Sequence, residues 1–259
     1  MEKRALITGA SSGIGLAFAH ALAQEGYSLV LVSRRGELLE SIALSLLGTH
    51  RTLAADLTQD EDIERVARLL EQEHFDLLIN NAGFGKYGMF HETALPLHQE
   101  VVQLNVGSLV ALSHAFLKCA RSGDALINVS SVLSRLTYPG GAVYAATKGF
   151  VTVFTESLWY ENRERGVYVT ALLPGATRTG FHLIATGSIR TSFKERAMSY
   201  SPEVIVAEAL RMLRERKKPS LVSGPRFRWL AHVLSRFAPR AGMIAFMGRQ
   251  SPGLKKGPH

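Results

Sequence analysis

Tyr144 and Lys148 stand four residues apart, and Ser131 lies thirteen residues before the tyrosine. On a helix, positions i and i+4 share a face one turn apart. An ammonium there favours tyrosinate, so the spacing predicts a Tyr144 pKa lowered toward the range of a general acid/base. Ser131 follows an apolar run and could donate a hydrogen bond to a carbonyl oxygen. Together the three types suit proton transfer at a carbonyl or alcohol. Each has a plainer alternative: Tyr/Lys pairs at this spacing are common on helices, and a serine past a strand often caps a helix or makes a turn.

A second group of residues suits a nucleotide. Thr8-Gly9-Ala10-Ser11-Ser12-Gly13-Ile14-Gly15 joins an apolar run to a helical pattern. Glycines there let the backbone turn tightly and approach a pyrophosphate, and the helix start offers free N–H groups. Ser33-Arg34-Arg35 ends the next apolar run, where an acid would bind the ribose 2′-OH of NAD. With guanidiniums in that place, NADP(H) is preferred over NAD(H). Arg34 is the better 2′-phosphate clamp and Arg35 a candidate to stack on adenine; the alternative is two solvated arginines. Asp56-Leu57 ends a third run, where Asp56 would either accept from the adenine amino group or cap the next helix. Asn80-Asn81-Ala82-Gly83 ends a fourth, with small residues that leave room for the adenine ribose or simply form a turn.

The elements that must hold these residues alternate. Apolar strand runs fall at Arg4–Thr8, Ser28–Val32, Arg51–Ala55, Asp76–Asn80, Ala125–Ser130, Val167–Leu173 and Ser220–Val222. Helical stretches fall between them at Gly13–Glu25, with Leu16, Ala19, His20 and Ala23 in phase, then at Glu37–Leu47, Asp60–Glu73, Pro96–Ala120, Gly141–Arg165 and Pro202–Arg216. Continuous apolar strands separated by helices predict a single doubly wound, Rossmann-type α/β domain, a parallel seven-stranded sheet with helices on both faces. That domain spans 1–224, including a substrate lid over about 176–201, and a basic amphipathic extension occupies 225–259.

At 259 residues the chain suits one such domain, and 46% hydrophobic residues suffice for a large core. The single cysteine, Cys119, cannot form an internal disulfide, and its apolar neighbours predict a structural core position. The nine histidines show no metal spacing and are expected to be structural or solvated. Neither a secretory signal pattern nor an uninterrupted apolar run of spanning length is found, so a cytoplasmic enzyme is expected. The net charge is +8, yet Arg211–His259 alone carries 12 Lys/Arg against one acid, Glu215. Those basic residues are interleaved with core-type aliphatics, which argues against nucleic-acid binding. The stripe at Phe227, Leu230, Ala231, Leu234 and Ala238 would pack on the body or on another subunit, with peripheral membrane contact through 225–248 as the alternative.

Taken in order, TGASSGIG at 8–15, NNAG at 80–83, Asn105, Ser131, YAATK at 144–148, and Pro174-Gly175 with Thr177 and Thr179 resemble the short-chain dehydrogenase/reductase family. The resemblance spans about residues 4–225. It implies that Tyr144 gives and takes the proton and that Lys148 binds the nicotinamide ribose and lowers the Tyr144 pKa. It further implies that Ser131 positions the carbonyl oxygen and that Asn105 holds a water of a proton relay. Pro174, Gly175 and Thr177 would line the nicotinamide side, with Thr177 on the carboxamide. Thr8, Ser11, Ile14 and Asn81 would line the cofactor groove. Ser134 stands where the family often has glycine. A softer resemblance, through LLPGATRTGF and SPEVIVAEAL, points to the branch of 3-oxoacyl and hydroxysteroid reductases.

The expected function is therefore reduction of a hydrophobic ketone to the alcohol, or the reverse. The lid supplies Phe181, Leu183, Ile184, Ile189, Phe193, Met198 and Tyr200, and Leu133, Leu136 and Tyr138 add to the pocket. A homodimer or homotetramer through the two long helices is also implied by the resemblance. Two other readings compete: a non-catalytic NADPH-binding regulatory protein of the same fold, and a methyltransferase with a related open sheet.

Overall fold

A computed structural model describes residues 2–178, 185, 199–224, 227–228, 239–251 and 254. The seven strands are β1 Arg4–Thr8, β2 Ser28–Ser33, β3 Arg51–Ala54, β4 Leu77–Asn80, β5 Ala125–Val129, β6 Tyr168–Pro174 and β7 Ser220–Ser223. They form one parallel sheet in the order β3-β2-β1-β4-β5-β6-β7. The order reverses between β1 and β4, so a crevice opens there at the carboxyl ends of the strands.

Strand side chains alternate between two cores, as a period of two requires. Ala5, Ile7, Leu29, Leu31, Leu77 and Ile79 face one side, and Leu6, Val30, Val32 and Leu78 the other. The first core is covered by α1 Gly13–Gln24, α2 Gly36–Ser45 and α7 Pro202–Glu215 (the numbering passes over α3 Asp60–Gln72, α4 Leu95–Val102, α5 Ser108–Cys119 and α6 Ala142–Glu161). The second is covered by α3, α5 and the end of α6. Among the described residues the last helix, α8, spans Arg240–Gln250.

Three expectations change. The stretch Pro96–Ala120 is not one α-helix: α4 and α5 are joined by a π turn, Gln103–Gly107. A π turn widens a helix by one residue and rotates the helix beyond it, and here it buries Asn105. By length and composition Leu95–Cys119 could cross a membrane, but half of it is buried and α5 packs on α3. Cys119 is exposed rather than core, because α5 ends on it with its inward face already formed by Leu112, Ala115 and Phe116. On α1 the predicted phase holds at Ala19 and Ala23, which are buried, and at Leu16, which packs on the core, but His20 is exposed, and Gly15, Ala17, Phe18 and Leu22 complete the buried face.

Candidate active site

The nucleotide end lies at the carboxyl ends of β1, β2 and β4. Gly9 adopts φ +65°, and a Cβ there would stand 2.8 Å from the Asn81 amide. A Cβ on Gly15 would lie 2.3 Å from the Gly9 carbonyl oxygen, so the turn closes only with glycine. Asn81 locks this turn: its Nδ2 donates to Thr8 O at 2.9 Å and to Gly9 O at 3.3 Å. Its N–H and that of Ala82 both donate to the Thr8 hydroxyl. Ser12 caps α1 by position, but its side chain makes no hydrogen bond to the helix, so among the described residues no side-chain cap takes its first N–H groups. Ile14 packs half-buried on the first core behind the turn. Gly13, at φ +57°, turns the chain into the helix. An uncapped helix start behind a glycine turn fits a pyrophosphate.

The two arginines lie differently at the end of β2. Arg35 reaches back over the glycine turn, donating to Ser11 Oγ at 2.8 Å and Ser12 Oγ at 3.2 Å. Ser33 Oγ accepts from the Arg35 N–H at 3.2 Å and fixes the strand end. The Arg34 side chain is 71% exposed, 3.9 Å from Asp56. Asp56 serves its own turn, with Oδ1 accepting from the Thr58 N–H and hydroxyl at 3.1 and 2.9 Å. The Leu57 side chain is buried in the second core.

At the reacting end, β5 delivers Ser131 and α6 delivers Tyr144 and Lys148. Both α6 residues are buried. Ser131 begins a short 3-10 turn, Val132–Arg135, with its Oγ accepting from the Leu133 N–H at 3.2 Å. Ser134 fits this turn, its N–H donating to Ser131 O at 3.0 Å, although its own hydroxyl is buried without a partner among the described residues. Lys148 Nζ donates to Val129 O at 2.9 Å and stands 5.9 Å from the Tyr144 ring centroid. The expected fall in the Tyr144 pKa is not found. Burial pushes it up to about 12, against a smaller lowering by the Ser131 hydroxyl. Burial also lowers Lys148 to about 8. Desolvation favours the neutral form of each group.

Asn105 sits below this pair. Its Oδ1 accepts from the Phe84 N–H at 3.1 Å, and its Nδ2 donates to Phe84 O and to Thr147 Oγ1 at 2.9 and 3.0 Å. The side chain thus ties the segment after Gly83 to α6. A Cβ on Gly83 would stand 2.9 Å from Asn105 Oδ1 and 3.2 Å from Lys148 Nζ. That narrow cradle, with an ammonium at its base, suits the hydroxyls of a ribose. Pro174 ends β6, and Thr177 Oγ1 donates to Gly175 O at 2.9 Å. Thr179 lies outside the described residues, as do the lid side chains Phe181, Leu183, Ile184, Ile189, Phe193 and Met198, and Leu230–Ala238 of the extension.

Sequence reasoning missed several contributors. Ser130 Oγ donates to Lys148 O at 2.7 Å and contacts Thr152 Oγ1 at the same distance, stitching α6 to β5. The only sequence signal was its place beside Ser131. Tyr87 packs against Tyr138 and Tyr144 with ring centroids 5.3 and 6.2 Å away. Its loop carries no periodicity that could have flagged it. The fold also gathers His74, Asp76 and Asp124 at the opposite end of the sheet, with His74 Nε2 3.4 Å from Asp124 Oδ1.

Fold and site define an oxidoreductase that works on alcohol and carbonyl carbons with a nicotinamide nucleotide. The family model for short chain dehydrogenases matches residues 3–185, and the chain belongs to that family. It is 34% identical over 191 residues to a serine 3-dehydrogenase of Agrobacterium fabrum, covering 72% of this chain and 77% of that one. A sulfoacetaldehyde reductase of Chromohalobacter salexigens is 37% identical over 191 residues, 70% of this chain and 75% of the relative. Among solved structures, a 7β-hydroxysteroid dehydrogenase studied for its stereoselectivity superposes with a TM-score of 0.86 at 26% identity, covering 95% and 96% of the two chains. A short-chain dehydrogenase from Sphingobium yanoikuyae in complex with NADPH gives 0.78 at 27% identity over 98% of each.

Proposed function

We propose that this chain is an NADP(H)-dependent carbonyl reductase for hydrophobic ketones of 3-oxoacyl or steroid type, able to run in reverse. The observation that carries the reading is the convergence of Ser131, Tyr144 and Lys148 at the crevice beside the Gly83 cradle. A nicotinamide nucleotide held by Lys148 and the Gly83 cradle would supply the hydride chemistry at the carbonyl carbon. Tyr144 gives its phenolic proton to the oxygen, and burial keeps that proton in place up to about pH 12. The Ser131 hydroxyl donates to the same oxygen and fixes it. Lys148, poised at about 8, holds the ribose side and restores the Tyr144 proton. Asn105 positions Gly83 and α6 for both.

Arg35 with Ser11 and Ser12 supports the NADP(H) preference: a guanidinium and two hydroxyls surround the place where a 2′-phosphate would sit. Arg34 would close the rim. Tyr87, Tyr138, Leu133 and Leu136 support an apolar substrate. Leu95 and Val102 on α4, with Phe150, Val153 and Tyr160 on α6, are exposed and support a homodimer or homotetramer through these helices. Gly248 of α8 faces Pro139 of the active-site loop, which favours packing on the body over membrane contact.

The test is NADPH oxidation against ketones graded from short and polar to long-chain and steroidal, with Tyr144→Phe beside the natural chain. Turnover should rise with hydrophobicity and fall roughly 10²–10⁴-fold in the variant. NADPH binding without turnover across the panel would favour the regulatory reading instead.

A further inference from the structure

Two aromatic rings behind the nicotinamide side of the crevice rest on glycine seats. Phe227 belongs to the basic extension, yet it is only 8% exposed. Its Cδ2 lies 2.0 Å from where a Cβ on Gly175 would stand, so the ring occupies the space that any side chain there would need. Phe227 packs with Val132, Leu133, Leu173 and Val222, the first two directly after Ser131. Tyr200 meets it edge-on, with centroids 6.2 Å apart. The Tyr200 ring in turn lies 2.5 Å from the Cβ position of Gly224, which adopts φ +86°.

The backbone joins these rings to the segment after β6. The Tyr200 N–H donates to Ala176 O and the Arg178 N–H to Tyr200 O, both at 2.9 Å, around a bridge between Thr177 and Tyr200. Glu208 of α7 clamps the turn that carries Phe227: its Oε2 accepts from the Gly224 N–H at 2.9 Å and its Oε1 from Arg228 at 3.1 Å. The chain of contacts runs from Phe227 to Gly175, whose carbonyl accepts from the Thr177 hydroxyl.

We propose that Phe227, with Tyr200, is a positioning residue for the nicotinamide half of the cofactor site, so that the start of the C-terminal extension is part of the catalytic unit. The inference rests on the cofactor lying along Gly175 and Thr177. A ring fixed behind Gly175 sets the height at which Thr177 is presented, and loss of that support leaves a cavity into which the 175–178 segment relaxes. The phosphate end, built from β1, α1 and Arg35, is held by different contacts and should not respond.

The experiment compares two ligands on the full chain: NADPH, by fluorescence titration, and adenosine 2′,5′-bisphosphate, which carries the adenosine end alone, by calorimetry. Phe227→Ala should weaken NADPH about tenfold and change bisphosphate binding by less than about twofold, with Phe227→Leu recovering part of the loss. Gly175→Ala alone should weaken NADPH, and Phe227→Ala added to it should restore affinity, because the new methyl enters the space the ring leaves. Unchanged NADPH affinity in Phe227→Ala, equal loss of both ligands, or additive loss in the double variant would overturn the proposal. Binding of neither ligand by the natural chain would instead overturn the NADP(H) reading beneath it; if NADH binds in its place, NADH and AMP serve the same comparison.

Discussion

Replacing Lys148 by methionine should remove turnover and stabilise the fold. Lys148 is 4% exposed, and its Nζ donates to Val129 O at 2.9 Å. Burial takes the ammonium from 10.5 to about 8. At pH 7 the folded chain therefore holds a charge that the unfolded chain solvates freely, and the gap between the two values corresponds to about 3 kcal/mol. Methionine fills similar space without charge, but leaves the Val129 carbonyl without its donor, which costs about 1–2 kcal/mol. The net gain is about 1–2 kcal/mol, or roughly 2–8 °C in Tm for a chain of this size. The lowered folded-state value sets the sign with pH. From about pH 8 to 10.5 the unfolded natural chain binds more protons than the folded one, so its stability rises relative to the variant. The advantage of Lys148→Met should be full below about pH 8 and should have reversed by 10.5, where the natural chain keeps the Val129 hydrogen bond without the cost of the charge. Thermal unfolding by circular dichroism at pH 7 and pH 10, without cofactor, measures both quantities. A variant less stable at pH 7, or a Tm difference that does not change with pH, would refute the desolvation argument.

The nucleotide end and the cradle give two further outcomes. Arg35→Ala should weaken NADPH by about 1.5–3 kcal/mol and leave NADH little changed, since the proposed clamp acts on a 2′-phosphate that NADH lacks. Arg34→Ala, on an exposed side chain, should matter less, and the opposite ranking in parallel NADPH and NADH titrations would restore Arg34 as the main clamp. Gly83→Ala forces a methyl to within 2.9 Å of Asn105 Oδ1 and 3.2 Å of Lys148 Nζ. It should cost about 1–3 kcal/mol in chemical denaturation and lower turnover beyond what the stability loss explains. Normal turnover would show that the cradle has slack.

The succession of strands and helices was legible in the residues alone. Most of the strands were visible because a parallel strand buried on both faces writes its burial into consecutive residues; β3, at the sheet edge with Arg51 and Ala54 exposed, is the exception. Tyr144 and Lys148 were equally legible, since helical period alone puts them on one face. The glycine turn was legible because Gly9 and Gly15 stand where no side chain fits. Tertiary structure decided what no local period encodes. The π turn at Gln103–Gly107 arises where Asn105 is drawn in to bond Phe84 and Thr147, residues 21 and 42 positions away. Arg35 reaches the glycine turn while Arg34 faces solvent because the path of the chain after β2, and not residue type, aims each side chain. Cys119 emerged exposed because the rotation of α5 is set by packing on α3. The Tyr144 pKa went against the pairwise expectation for the same reason. Desolvation sums over every atom packed around a group, and most of those atoms come from distant parts of the chain.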